Sequence, residues 1–431
     1  MKRAFILVFL FLQVGFLFAS TSLETFLSSL PAVTYEKIET MKGFESSYKI
    51  YIDQPLDHDN PGRGTFAQKM YLNHKSQDED IVVVTEGYLA PRNYLYELTA
   101  ITESNQLVVE HRYFGESQPE KHNWEYLDTK QAAHDHLRII NLFRDYYTRK
   151  FIASGISKGG QTTLFLKYYY PDLVDVSVPY VAPINLMQEE PRIHLFLEMV
   201  GERECRTKIK EFQRLALSRR DSLLPMLKEF VEEKDLTYEI LEFEKAFEYQ
   251  VLEYPFSFWQ WGWKEYEDIP DESASNQEIF DHLQRVIGID GYSDEDLLPI
   301  ISFYVQAYNE IGYYNYDISY LKDLLKVTTN ATNEILVPKT YVLNYDPELM
   351  PKMVYFLERE ADNVLYLYGE YDTWSASQVP VTGLTNSVKI IKPEGHHTTR
   401  FLNLNEKEQK IAAETLSRWL EREIKIGKGK L

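Results

Sequence analysis

Gly155-Ile156-Ser157-Lys158-Gly159 follows the apolar-leaning run Lys150-Phe151-Ile152-Ala153-Ser154 and precedes a helix-compatible run over residues 161–170. A Gly-x-Ser-x-Gly pentapeptide alone is a weak signal. Set between a strand and a helix it reads as a nucleophile elbow, the tight turn that pushes a serine hydroxyl out at the sheet edge. The glycines two residues either side of Ser157 stand where side chains would collide with that turn, and Gly160 leaves further room. The plain alternative is a glycine-rich turn with an incidental serine, so the rest of the chain has to decide.

Outward from the elbow, Ile81-Val82-Val83-Val84-Thr85 and Leu107-Val108-Val109 are apolar runs without alternation, as parallel strands buried on both faces require. Helical spacing over 93–102 and 131–147 separates them from further strands at 151–153 and 174–181. This alternation predicts an α/β fold with a mostly parallel, doubly wound sheet. Earlier, Tyr48-Lys49-Ile50-Tyr51-Ile52 and Phe66-Ala67-Gln68-Lys69-Met70-Tyr71 alternate, which suits antiparallel edge strands, with turn chemistry at 57–62 between them. From 186 to 346 strand signals fade into charged helical segments at 208–217, 224–233 and 238–249, a candidate cap inserted into a core of 23–185 and 347–431. Its aromatic groups, one at Phe256, Phe258, Trp259, Trp261, Trp263 and Tyr266 and one at Tyr304, Tyr308, Tyr313, Tyr314 and Tyr316, suit either helix packing or a cleft wall. Sheet character returns at 363–368 and 387–391, before a closing helix at 406–424.

A serine nucleophile needs a base and a carboxylate that orients it, and in this kind of sheet they follow in the order Ser, acid, His. The strand at 364–368 ends in Gly369-Glu370-Tyr371-Asp372, and the next strand leads to Pro393-Glu394-Gly395-His396-His397. Both loops lie past strand carboxyl ends, on the edge that carries Ser157. Asp372 is the expected acid, with Glu370 its rival, and either His396 or His397 can serve as base. The backbone N–H of Lys158 and the amide of Tyr88, in Glu86-Gly87-Tyr88 after an early strand, are the expected oxyanion donors. No His-Glu-x-x-His, paired cysteines or nucleotide-binding glycine loop occurs, so neither metal nor cofactor is expected.

The 66 acidic against 46 basic residues, net −20 over 431, argue against nucleic acid as a partner. Residues 1–22 read as a secretory leader: Lys2 and Arg3 precede an apolar run over 5–18 interrupted only by Gln13 and Gly15, with cleavage expected between Ala19 and Leu23. A secreted or periplasmic protein without a stable membrane anchor follows, and Cys205, the single cysteine, excludes an internal disulfide. Nothing in the sequence signals an oligomeric state.

Several segments resemble the bacterial secreted tripeptidyl aminopeptidases, serine peptidases related to lysosomal prolyl carboxypeptidase and dipeptidyl peptidase II. They are Pro55-Leu56-Asp57-His58, Glu110-His111-Arg112-Tyr113-Phe114-Gly115, the elbow with Gly160, Tyr180-Val181-Ala182-Pro183, Gly201-Glu202-Arg203-Glu204-Cys205, Glu310-Ile311-Gly312-Tyr313-Tyr314, and the run from Tyr368 through Asp372 to Ser375. The resemblance implies an α/β-hydrolase core with a helical cap and exopeptidase activity at free peptide N-termini, releasing tripeptides or dipeptides through Ser157, Asp372 and His397. The family pattern Gly-x-His-x-x-Arg matches Gly395-His396-His397-Thr398-Thr399-Arg400 and selects His397; Thr398 departs from the small residue usual there. Recognition of a substrate ammonium calls for a carboxylate, and Glu86 and Glu310 are the candidates. Two other readings stand beside this one. An ester hydrolase would be expected to carry a His-Gly-Gly-Gly loop, which Thr85-Glu86-Gly87-Tyr88 is not, and a catalytically silent peptide-binding protein would not need the triad.

Overall fold

The computed structural model describes residues 22–121, 123–262 and 266–426. Apart from Ser22, the expected leader lies outside the described residues, as does Trp263. The strands are β1 (Val33–Ile38), β2 (Ser46–Pro55), β3 (Thr65–His74), β4 (Ile81–Thr85), β5 (Asn105–Val109), β6 (Phe151–Ile156), β7 (Val176–Tyr180), β8 (Leu365–Gly369) and β9 (Val388–Lys392). They form one sheet in the order β1-β2-β3-β5-β4-β6-β7-β8-β9. β1, β2 and β3 pair antiparallel, as do β3 and β5, and every later pairing is parallel.

Helices α1 (Leu23–Ser29), α2 (Glu97–Thr102), α3 (Thr129–Arg144) and α4 (Lys158–Tyr169) accompany the first seven strands. Between β7 and β8 the chain is largely helical as far as Ile311 and mostly irregular from 312 to 348. It runs through α5 (Arg192–Met199), α6 (Arg203–Ser218), α7 (Arg220–Glu233), α8 (Phe243–Trp261), α9 (Asn276–Val286), α10 (Asp294–Leu297) and α11 (Ile301–Gln306), and α12 (Leu349–Arg359) then leads into β8. α13 (Glu406–Leu420) follows β9. Alternate residues of the parallel strands feed opposite faces. Val82, Val84 and Ile152 pack with α2 and α13, whereas Ile81, Val83 and Phe151 pack with α1 and α3. That is the doubly wound layering of an α/β-hydrolase. Among the described residues no helix is long and apolar enough to cross a membrane.

The structure departs from the sequence reading at several places, among them the end of the closing helix, which stops at Leu420 and not at 424; of three others, two have their reason in a side chain from elsewhere in the chain. The alternating segments expected at the edge are the longer β2 and β3, and the edge itself is β1, which the sequence reading did not pick out. The helix expected over 93–102 starts only at Glu97, because the Gln106 side chain takes the Tyr94 carbonyl (2.6 Å) and the Tyr96 N–H (2.8 Å). The helix expected from 238 starts at Phe243, because the Asp294 carboxylate accepts from the N–H groups of Glu239 (2.7 Å) and Ile240 (2.9 Å) and holds them in a bend.

Strand order positions the site. From β4 the chain passes to β5 on one side and returns to β6 on the other, so the loops after β4 and β6 splay apart into a crevice at a topological switch point. Just past β5, Arg112 turns fully into the interior. Its guanidinium makes two 2.7 Å bonds to Asp135 on α3 and also donates to the carbonyls of Pro55, Leu56 and Tyr126. One cation thus ties β2, α3 and the β5 loop together. Burial alone would raise the Asp135 carboxyl, but the charge and bonds of Arg112, with a further bond from His58, hold it down at about 2.

Asp135→Asn should therefore leave a buried, uncompensated guanidinium and cost about 3–5 kcal/mol in denaturant unfolding at neutral pH. The wild-type contribution is fully present above the unfolded carboxyl value of about 3.9 and fades as pH falls through about 2. Acid titrations should show a shallower acid limb in the variant, and an unchanged limb would refute the assignment.

Candidate active site

Ser157 sits at φ 57, ψ −121, a backbone conformation that a non-glycine residue adopts only when its surroundings impose it. The imposition is visible on both sides. Ser157 N–H donates to the Tyr180 carbonyl on β7 (2.9 Å), and its own carbonyl accepts from Gln161 N–H (2.9 Å), starting α4. A Cβ at Gly155 would lie 2.3 Å from the Gly159 carbonyl and 2.5 Å from that of Thr85, so β6, α4 and β4 approach one another only because 155 is glycine. The Thr85 hydroxyl closes the crossing with a 2.9 Å bond to the Gly159 carbonyl.

The Tyr88 N–H and the Lys158 N–H flank Ser157 from the β4 loop and from the first turn of α4. Among the described residues neither has an intramolecular acceptor. The Lys158 side chain is buried and donates to the Gly87 carbonyl (2.7 Å), and burial lowers its amine to about 7.

Asp372 and His397 come together as the loop order requires. Asp372 Oδ2 lies 2.8 Å from His397 Nδ1, both residues are buried, and Asp372 Oδ1 accepts from the Trp374 N–H (3.2 Å). The two loops cross at Gly369, where a Cβ would lie 2.5 Å from the Gly395 carbonyl carbon, and the Tyr371 N–H binds the Gly395 carbonyl (2.7 Å). Neither rival takes part in the pair. Glu370 accepts from the Glu394 N–H at the surface, and the His396 ring lies against Gly262.

The far end of α8 grips both loops. Pro255 lacks an N–H and so frees the Val251 carbonyl, which takes the Gln213 side chain instead (2.8 Å). Beyond it, the Phe256 carbonyl accepts from Thr373 Oγ1 (2.9 Å) and the Gln260 carbonyl from His397 N–H (2.9 Å), while the Trp261 ring stands edge-on to the His397 imidazole.

Ser157 opens on a cavity of about 20 Å³ walled by Tyr88, Asn185, Phe303, Tyr313 and Trp374. That is space for a water molecule, not a peptide. Among the described residues Ser157 Oγ and His397 share no hydrogen bond; such bonds are often long without substrate and tighten when it binds.

The two candidate ammonium acceptors part company. Glu86, at the start of the loop after β4, lies outside the cavity lining, is half-buried, accepts the Tyr94 hydroxyl (2.5 Å), and is pushed up to about 7 by burial. Glu310 does not line the cavity. Both of its oxygens serve Thr129 at the start of α3 (2.7 and 2.8 Å), and burial, with the charge of Asp128, pushes it up to about 8. A third carboxyl escaped the sequence reading. Glu253 on α8 accepts from the hydroxyls of Tyr314, Tyr316 and Ser257 at 2.8–3.1 Å and is raised to about 7 by burial. Tyr314 stacks on Phe256 (4.1 Å), and Trp374, from the cavity wall, meets both edge-on. In sequence Glu253 is one acid among many, and only the fold surrounds it with hydroxyls.

Comparison with known proteins agrees with the motif resemblance. The family model described as PS-10 peptidase S37 matches residues 20–421. A prolyl tri/tetrapeptidyl aminopeptidase of Streptomyces mobaraensis is 29% identical over 397 residues, 90% of this chain and 83% of that protein. The probable serine protease EDA2 of Arabidopsis thaliana is 24% identical over 241 residues, 48% of each. Among solved structures, proline iminopeptidase from Mycobacterium smegmatis aligns with a TM-score of 0.40 at 13% identity, over 86% of this chain and 99% of that one.

Glu253 gives a pH signature. Its folded value near 7 exceeds the unfolded value of about 4.3, so stability should fall as pH rises through that window and level off above it. Glu253→Gln keeps an acceptor for the tyrosines and should flatten the fall between pH 5 and 8 in urea unfolding. An identical pH slope in variant and wild type would count against the assignment.

Proposed function

Because the chain belongs to the PS-10 peptidase S37 family and so is a serine peptidase, we propose that Ser157 is its nucleophile, His397 its base and Asp372 the carboxylate that orients the base. The Asp372–His397 pair behind a serine on a strained elbow is the observation that carries this reading. Ser157 Oγ attacks the scissile carbonyl while His397 Nε2 takes its proton. The oxyanion that forms is met by the N–H groups of Tyr88 and Lys158. Collapse expels the new amine with the proton from His397 and leaves an acyl-enzyme. Water, deprotonated by the same imidazole, then releases the acid and restores Ser157.

In this reading residues 186–346 cap a core of 23–185 and 347–431, and the chain is exported through a leader at 1–22. The products are short peptides cut from free N-termini. Two observations support that choice: the relative from Streptomyces mobaraensis bears the name of a tri/tetrapeptidyl aminopeptidase, and Glu86 stands beside the oxyanion loop with a hydroxyl as its hydrogen-bond partner. An ammonium arriving there would hold the Glu86 carboxyl ionised. The tight ring of Tyr88, Phe303, Tyr313 and Trp374 favours a small, rigid apolar residue such as proline before the cut bond.

Ser157→Ala should abolish turnover and labelling by a fluorophosphonate probe, and Asp372→Asn should lower kcat by about 10⁴ with the fold intact. Peptides with free N-termini should be cut far faster than their N-acetylated forms. Equal cleavage of the two would overturn the aminopeptidase reading, and an active Ser157→Ala would overturn the nucleophile.

A further inference from the structure

Lys158 enters the proposed mechanism only through its backbone, yet its amine is among the most deeply placed basic groups in the molecule, with 2% of the residue exposed. Among the described residues no carboxylate forms an ion pair with it, and the Glu310 charge acts on it only from beyond that distance. Burying an unpaired amine is costly unless something else meets it. Here Nζ donates to the Gly87 carbonyl at 2.7 Å and stands over the rings of Tyr88 and Phe114, 5.4 and 5.0 Å from their centres.

Resting on the reading of Tyr88 N–H as an oxyanion donor, we propose that the Lys158 side chain is a positioning residue that aims and polarises that N–H by gripping the Gly87 carbonyl. The Gly87 carbonyl and the Tyr88 N–H belong to one peptide unit, which is planar and trans, so its C=O and N–H point in opposite directions. Fixing the oxygen fixes the hydrogen. An amine drawing on that oxygen also pulls electron density from the nitrogen, which makes the N–H a stronger donor, as in any chain of hydrogen bonds.

The neighbouring bonds leave the unit little freedom. Glu86 N–H is held by the Val109 carbonyl (3.1 Å), and the Tyr88 carbonyl by His111 N–H (3.1 Å). Between these anchors the Lys158 bond is what sets the rotation of the intervening peptide. The Tyr88 ring completes the coupling, since one face meets the amine while the ring also walls the cavity at Ser157. The residue after the nucleophile therefore serves both donors of the hole, one with its own N–H and the other through its side chain.

Lys158→Met keeps the bulk and removes the donor; Lys158→Gln keeps an N–H donor without the charge. In the Met variant kcat should fall about 10²-fold, the loss typical of one oxyanion donor, with KM changed less than about threefold. A peptide aldehyde, which forms a tetrahedral oxyanion adduct on the serine, should bind weaker by the same factor. A peptide substrate bound to the Ser157→Ala, Lys158→Met double variant should bind as it does to Ser157→Ala. The Gln variant should recover part of kcat. The proposal is overturned if the Met variant keeps kcat/KM within about threefold, or if aldehyde and substrate affinities fall together. Failure of both variants to fold would also overturn it, since the lysine would then be a structural brace. If Ser157→Ala is inactive while Lys158→Met is fully active, the lysine proposal alone fails and the nucleophile stands.

Discussion

Three backbones meet at the elbow with almost nothing between them. β6 reaches its end at Gly155, α4 begins under Gly159, and the Thr85 carbonyl of β4 lies where either glycine would carry a Cβ. A residue with Ser157's φ and ψ costs on the order of 1–3 kcal/mol and persists only if the surroundings fix it from several sides. Here the strand bond to Tyr180, the first turn of α4 and the Thr85 hydroxyl do so together. Because β4 is one of those sides, the loop after β4 is brought to Ser157 by the contact that strains it. Ser157 and the N–H groups of Tyr88 and Lys158 beside it are therefore one construction.

Asp372 and His397 belong to a second construction, held by α8. Their loops cross at Gly369 and Gly395, and both are pinned to carbonyls near the end of α8, Phe256 through Thr373 and Gln260 through His397. The Gln260 carbonyl lies in the last turn, where it has no partner within the helix, and the Phe256 carbonyl has a second lone pair beyond its helical bond, so α8 binds both loops without losing its own bonds. Helix and sheet also share one continuous apolar core, in which Leu164 and Phe165 of α4 pack in the same cluster as Phe247 and Tyr254 of α8. The helical segment thus fixes His397 as well as covering it.

This division explains what could be read from the sequence. β4, β5, β6 and the elbow are legible because buried parallel strands and a glycine-flanked serine leave local signatures, and the loops of Asp372 and His397 are legible because each directly follows such a strand. What escaped depends on contacts between distant residues. Gln106 stopping α2 short, Asp294 holding back the start of α8, and Glu253 meeting the hydroxyls of the distant Tyr314 and Tyr316 have no local pattern. Glu310 misled for the same reason: a lone acid beside aromatics looks like an ammonium acceptor until the fold gives both its oxygens to Thr129. The loops alone leave Glu370 and His396 as rivals of Asp372 and His397, and only the resemblance to the family pattern Gly-x-His-x-x-Arg selects His397.

With both constructions fixed, little remains free to move at the site. The Ser157 hydroxyl can rotate, and the rings of Phe303, Tyr313 and Trp374 can give way around a cavity with room for a water. On the proposed mechanism the peptide itself must open that wall, and the contacts it gains there must exceed those the rings make with one another. Paired aromatic contacts contribute about 0.5–1.5 kcal/mol each, so a side chain that fits poorly cannot displace them. A fitting one replaces water next to the hydroxyl with apolar surface, which strengthens the Ser157–His397 bond as it forms. Selection of the residue before the cut and assembly of the nucleophile are then one event, and binding energy from the wall is expressed in kcat as well as in affinity.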